Sequence, residues 1–367
     1  MARDLQCLYL HIAQLQIEGT KALGRSYHSH KVADLIKENN KLIEHFLSSY
    51  DESIIASNID LFYSVLSFLG YCHSYIVSST SEDVNNEIYS CLRYVLKDWI
   101  PDADKYVILC AQGEYALHAY KLNNIDFYDL IESAFNFKYG IRMIPITMPF
   151  HTQGDYMFNA ALYHEIGHFI DNYHKISACI LEDVRNGKLV IPQADVYLKD
   201  MTEDLGKDKD KYYQQLSHFL KEYLADLFAA KYTKKSIFHY LKYINPFGKA
   251  DPEHPSIGCR EKIVDEFLDD PANYSDFLRL LISHTKDMNG DILNPNTQNI
   301  DISSFVNLVE CDKPSSEQHV HSIIPNLWDI WNNKRDEFKD NAGVPMHYIE
   351  IYRNLMDLTA KTIQKLQ

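Results

Sequence analysis

The chain has 367 residues, enough to bury a large core and to form two or three structural units. It is 46% hydrophobic and 24% charged, and its few glycines (13) and scarce strand-like alternation point to a mainly helical fold, α+β with a small sheet. A formal net charge of −15 argues against nonspecific nucleic-acid binding and against docking on an anionic membrane, both of which need a cationic surface.

Residues 1–100 read as a helical N-terminal region. LIKENNKLIEHFLSSY (35–50) and NNEIYSCLRYVLKDWI (85–100) carry apolar residues at helical spacing, and Pro101 marks a break. The first residues, MARDLQCLYLHIAQ, lack the apolar run of a signal peptide. No stretch offers about 20 uninterrupted apolar residues, so no transmembrane helix is expected; LFYSVLSFLGYCHSYIV (61–77) reads as a buried helix. The seven cysteines (Cys7, Cys72, Cys91, Cys110, Cys179, Cys259 and Cys311) are odd in number, widely spaced and without a CxxC. Reduced thiols in a cytoplasmic protein are the simplest reading.

From residue 101 to 270 the texture changes. YVILCA (106–111) is a short strand, and EYALHAYKL (114–122) is its expected hairpin partner. IRMIPITMP (141–149) reads as an edge strand, because Pro145 and Pro149 cannot donate to a ladder. The sheet is expected beside the helix that follows, over residues 156–172. The KDKDK run (207–211) reads as a solvated loop, and residues 212–232 as a second strong helix. NPFGKADPEHPS (245–256) is a loop, and helices resume at Arg260. Residues 271–367 read as a helical C-terminal region with a polar break at MNGDILNPNTQN (288–299) and a long last helix.

The helix at 156–172 carries HEIGH, residues 164–168. Residues four apart lie on one helical face, so His164 and His168 can present both imidazoles to one Zn²⁺. Glu165 points beside the ion, where a carboxylate can take a proton from a polarised water and return it to a leaving amine. Gly167 costs about 1 kcal/mol of helix propensity against alanine, which implies close approach of another element.

Two residues compete as third ligand. Glu222, in KEYLADLFAAKY (221–232), shares a helical face with Asp226, which would hold the far nitrogen of one histidine; small Ala225, Ala229 and Ala230 permit close helix packing. His174 follows His168 by six residues, the spacing of HExxHxxGxxH, but Asp171 stands where that pattern needs glycine. Glu222 is therefore preferred, with His174 at the surface and Asp171 either behind the ligands or at the surface. His218, one turn before Glu222, is a weaker neighbour of the site. His319 and His321 could pair on a metal, although surface positions are favoured.

DPEHPSIGCREKI (251–263) adds His254 and, six residues on, Arg260. The order HExxH, then ExxxD, then HP with an arginine resembles gluzincin metallopeptidases, above all soluble relatives of the CAAX prenyl endopeptidase and heat-shock membrane protease family. The resemblance covers about residues 141–265. It implies a zincin-like core at 101–270, zinc on His164, His168 and Glu222, catalysis by Glu165, and support from Asp226. It places His254 and Arg260 near the substrate or the developing oxyanion, with a structural salt bridge from Arg260 to Asp226 or Glu253 as the competing reading. It also assigns substrate-backbone binding to IRMIPITMP. The expected activity is hydrolysis of a peptide bond in a protein or peptide. A non-catalytic, zinc-stapled interaction protein and a hydrolase of non-peptide amides are the alternatives. The family's membrane helices have no counterpart in this sequence, so the family's substrates do not transfer.

Overall fold

A computed structural model gives the fold. It describes all residues except 1, 82–83, 114–118, 121–123, 150–151, 153, 192–193, 203–206, 288, 297, 341 and 367. The elements in chain order are α1 (Ala2–Ala22), α2 (His30–Ser49), α3 (Glu52–Ser57), α4 (Ile59–Ser78), α5 (Asn86–Trp99), β1 (Tyr106–Gly113), β2 (Ala119–Tyr120), α6 (Asn124–Phe135) and β3 (Arg142–Pro149). They continue with α7 (Ala160–His174), α8 (Ile176–Arg185), α9 (Ala194–Tyr197), α10 (Lys209–Thr233), α11 (Ser236–Ile244), α12 (Ile257–Phe267), α13 (Asp276–Ser283), α14 (Glu317–Val320), α15 (Ile323–Asn333) and α16 (Tyr348–Gln364). The fold is thus mainly helical with a small sheet.

The chain divides into two compact units, 1–89 with 102–153 and 90–101 with 154–367. Two sets of contacts account for this division. The sheet is tied to the N-terminal helices: Ser79 Oγ donates to the Cys110 carbonyl (2.9 Å), and the Tyr75 and Thr147 hydroxyls meet at 3.1 Å. Residues 90–101 belong with the second unit because Trp99 Nε1 donates to Tyr232 Oη (2.9 Å) and its ring meets Phe228 edge-on. The region after 270 continues that second unit.

In the first unit, α2 is set by Ser29, whose side chain accepts from the Lys31 amide, and buries Val32, Leu35, Ile36, Leu42, Ile43 and Phe46 at three- and four-residue intervals. Phe46, Phe62 and Phe135 interlock with centroids 4.6–5.2 Å apart. Helix α4 is the one helix among the described residues long and apolar enough to cross a membrane. Here it buries Phe62, Val65, Leu66, Leu69, Cys72 and Ile76 and packs on α1 and β1.

The sheet corrects the expected hairpin and the expected edge strand. Its order is β1-β3-β2, with β1 and β3 parallel. The strand holding Pro145 is central. It tolerates the proline because β2 meets β3 only at Ile146 and Thr147, so Pro145 sits beyond that short ladder. The sheet lies in the first unit and the HEIGH helix in the second. Most of EYALHAYKL falls outside the described residues.

Candidate metal centre

Helix α7 begins after a tight turn built by Asp155, whose Oδ1 accepts from the amides of Met157 (2.7 Å) and Phe158 (3.0 Å). The helix therefore starts at Ala160, later than the expected 156. It ends at Lys175, which takes the left-handed conformation (φ 56°). The next helix, α8, is fastened by Asp171: Oδ1 accepts from the Ser177 amide and Oδ2 from its hydroxyl, both at 2.7 Å. Asp171 is thus buried and structural, and burial raises its carboxyl above the usual range.

Helix α10 starts inside the KDKDK run, where Asp208 accepts from the amides of Asp210 and Lys211. An N-cap aspartate makes the charged stretch a helix start, which corrects its reading as a loop. α10 packs on α7 more extensively than on any other element. A Cβ added at Gly167 would lie 2.9 Å from Ala225 Cα and 3.0 Å from its carbonyl, so the close approach inferred for this glycine is met by α10.

That approach brings the ligand candidates together. His164, His168 and Glu222 each offer an atom within 4.8 Å of the others. His164 Nε2 lies 3.5 Å from Glu222 Oε2, and His168 Nε2 lies 3.2 Å from Oε1. Zinc with tetrahedral ligands at 2.0–2.1 Å keeps its donors about 3.4 Å apart, so two imidazoles and a carboxylate at these separations fit the ion. The two rings stand nearly perpendicular, with centroids 4.6 Å apart. Glu165 is buried on the same helix, about 100° round from His164.

A second layer holds the first. His164 Nδ1 is 3.0 Å from Asp226 Oδ1, off the line of a straight hydrogen bond. Arg260 grips Asp226 with both edges: Nε donates to Oδ2 at 2.6 Å and Nη2 to Oδ1 at 2.7 Å. Its Nη1 lies 3.1 Å from Glu222 Oε2. Arg260 is only 4% exposed and its guanidinium faces these carboxylates, which is the salt-bridge arrangement. Arg260 stays cationic because burial, which would lower it, is outweighed by Asp226 and Glu222. Burial acts to raise Glu222 and Asp226, yet Arg260 first and the imidazoles second hold Glu222 well below the usual carboxylate range and Asp226 below its ordinary value. Burial likewise opposes a charged His164, but the nearby carboxylates of Asp226 and Glu222 push it up to about 10.

His254 sits on the open side. Its side chain is 46% exposed, and Nε2 is 3.9 Å from Glu222 Oε1. Asp251 fixes it, accepting from the amides of Glu253 and His254 (2.8 Å each) and meeting Nδ1 at 3.0 Å. Sequence reasoning missed Asp251, although an aspartate opening a turn three residues before the histidine is a readable signal. It also missed Asp200, whose Oδ2 accepts from the Ser256 amide at 3.1 Å and so anchors the start of the helix that carries Arg260.

The other histidines lie elsewhere. His174 Nε2 meets the Trp99 carbonyl at 2.8 Å, outside the cluster. His218 is half-buried on α10 and no member of the cluster, and His319 meets Ser316 Oγ at 2.6 Å. His321 is fully buried, which corrects its expected surface position. Its Nδ1 is 3.0 Å from Tyr163 Oη among the rings of Tyr94, Tyr163 and Tyr232, and burial pushes its pKa down to about 3. No local signal foretold this, because the enclosing aromatics come from three distant segments. All seven cysteines are free. No family model matches the chain, and no curated protein or solved structure compared with it matches either.

Proposed function

We propose that the chain is a cytoplasmic zinc-dependent metallopeptidase that hydrolyses a peptide bond in a protein or peptide. The observation that carries this reading is the gathering of His164, His168 and Glu222 within 4.8 Å, on two helices, with Glu165 on the first of them. Among the described residues, the group that could hold a metal has three members. Structural zinc sites are closed by four ligands, whereas catalytic sites keep a position open.

Zinc in this site would supply a Lewis acid that polarises the scissile carbonyl. Glu165 takes the proton of the attacking water and delivers it to the leaving amine. Asp226 orients His164 through Nδ1, and Arg260 locks Asp226 and Glu222 in place. Of the two groups expected near the oxyanion, His254 is the exposed one. With Nδ1 on Asp251, its Nε2 is free in direction to stabilise developing negative charge, and Arg260 acts through the carboxylates it holds. The protein needs no nucleic acid or membrane for this chemistry.

The test is Glu165→Gln. New N-termini generated in a mixed proteome by the zinc-loaded wild type should vanish with Glu165→Gln, while its metal content stays. Equal cleavage by both proteins would remove the base from its role, and no cleavage by either would leave the zinc-stapled interaction protein.

A further inference from the structure

In the same unit as the metal cluster, a cavity of about 370 Å³ lies between the end of α7, the length of α8 and α10. None of the three ligand candidates lines it. Its wall includes Asn172, four residues beyond His168 on α7, and Lys221, the chain neighbour of Glu222. One helical turn is about 5.4 Å, and an extended chain advances about 3.3–3.6 Å per residue. A peptide that runs from the cluster along the end of α7 would cover that turn in one or two residues.

Three cations line the cavity: Lys175, Lys221 and Arg185. Among the described residues none of them forms an ion pair within 4 Å of a carboxylate, although the charge of Lys221 reaches Asp171. Arg185 rests over the Tyr213 ring at 5.0 Å, which leaves its N–H groups uncommitted to an acid. Two acidic residues share the wall. Asp171 spends both oxygens on Ser177, and Glu182 is exposed. Small Ser177, Ala178 and Ser217 leave the space open. On a chain of net charge −15, a cavity with this excess of cations is a local reversal of sign.

We propose that this cavity is a substrate subsite that takes a carboxylate, so that the enzyme cleaves next to a free C-terminus or an acidic side chain. The inference rests on the peptidase reading. In peptides the available anions are these two carboxylates, which lysine and arginine hold by charge-assisted hydrogen bonds.

The test uses zinc-loaded full chain and N-acetylated pentapeptide libraries in two matched pairs: free acid against C-terminal amide, and internal Glu against internal Gln. The variant is Lys175→Asn/Lys221→Gln, in which asparagine tolerates the left-handed backbone at 175. Wild type should consume one or both acidic members roughly ten-fold faster than their neutral partners, and the ratio should fall toward one in the variant. A preference confined to the first pair identifies the C-terminus, and one confined to the second identifies the side chain. Cleavage without acid preference, or a preference unchanged in the variant, overturns the inference and leaves the peptidase reading intact. Fluorescence anisotropy of the same peptides, dye-labelled, on Glu165→Gln separates the two. Acid-selective binding that the lysine substitutions abolish, with no cleavage by wild type, keeps the subsite and removes the peptidase. Neither cleavage nor acid-selective binding removes both. Lys221→Gln alone serves where the double variant fails to fold.

Discussion

Asp226 is the residue on which the most contacts depend. It is fully buried, accepts two hydrogen bonds from Arg260 and lies 3.0 Å from His164. Asp226→Asn keeps the volume but strips the charge that pairs Arg260. Removing one partner of a buried ion pair costs about 3–5 kcal/mol, and losing a support behind a metal ligand weakens affinity about 10–100-fold. Denaturant unfolding and zinc titration of Asp226→Asn should show both effects; a variant with unchanged zinc affinity would mean His164 does not need this partner. The ligand candidates themselves were legible, because HEIGH and ExxxD put each pair on one helical face. The orientation of Arg260 was not. Spacing places it near the site but does not say whether its guanidinium meets substrate or Asp226. His321 was illegible for a related reason, since its burial is decided by tyrosines from α5, α7 and α10.

At the scale of elements, α7 and α10 meet at Gly167 and Ala225, and the contact sets the separation of the ligands. Gly167→Ala gains about 1 kcal/mol of helix propensity, but its methyl meets backbone atoms at 2.9–3.0 Å, which cannot yield as a side-chain tip can. Overpacking of this kind costs about 1–3 kcal/mol, so the net change should be destabilising and should push the helices apart. A lower melting temperature and weaker zinc binding by Gly167→Ala would bear this out; a stabilised variant would show that the helices slide freely. The helix pair could be anticipated from glycine and alanine alone. The sheet could not, because a parallel β1–β3 pair with α6 between its strands leaves no local signature to set against a hairpin. Proline at 145 misled for want of knowing that β2 would be so short.

At the scale of the molecule, buried charge makes stability depend on pH and metal together. In the metal-free protein, His164 is pushed up to about 10. It contributes stability that is fully present below its ordinary 6.5 and is lost as pH rises toward 10. Glu222 and Asp226 are lowered, so their contribution is present above the usual carboxylate range and is lost on acidification. The metal-free melting temperature should therefore peak at roughly pH 5–6.5 and decline toward pH 10. Zinc requires a neutral imidazole, so its stabilising increment should grow over the range in which the metal-free protein weakens. Thermal scans with and without zinc check both trends, and a metal-free melting temperature that rises between pH 6.5 and 10 would contradict the charge assignment at His164. The separation of the chain into two units was beyond the sequence, because the Trp99–Tyr232 and Ser79–Cys110 bonds that assign the segments span 133 and 31 residues.

The most direct test of a metal centre at the heart of this fold is the zinc content of purified wild type measured beside Glu222→Ala and His174→Ala. The account predicts one zinc per chain, lost with Glu222→Ala and kept with His174→Ala. Zinc that survives Glu222→Ala but not His174→Ala, or no zinc in any preparation, would contradict it.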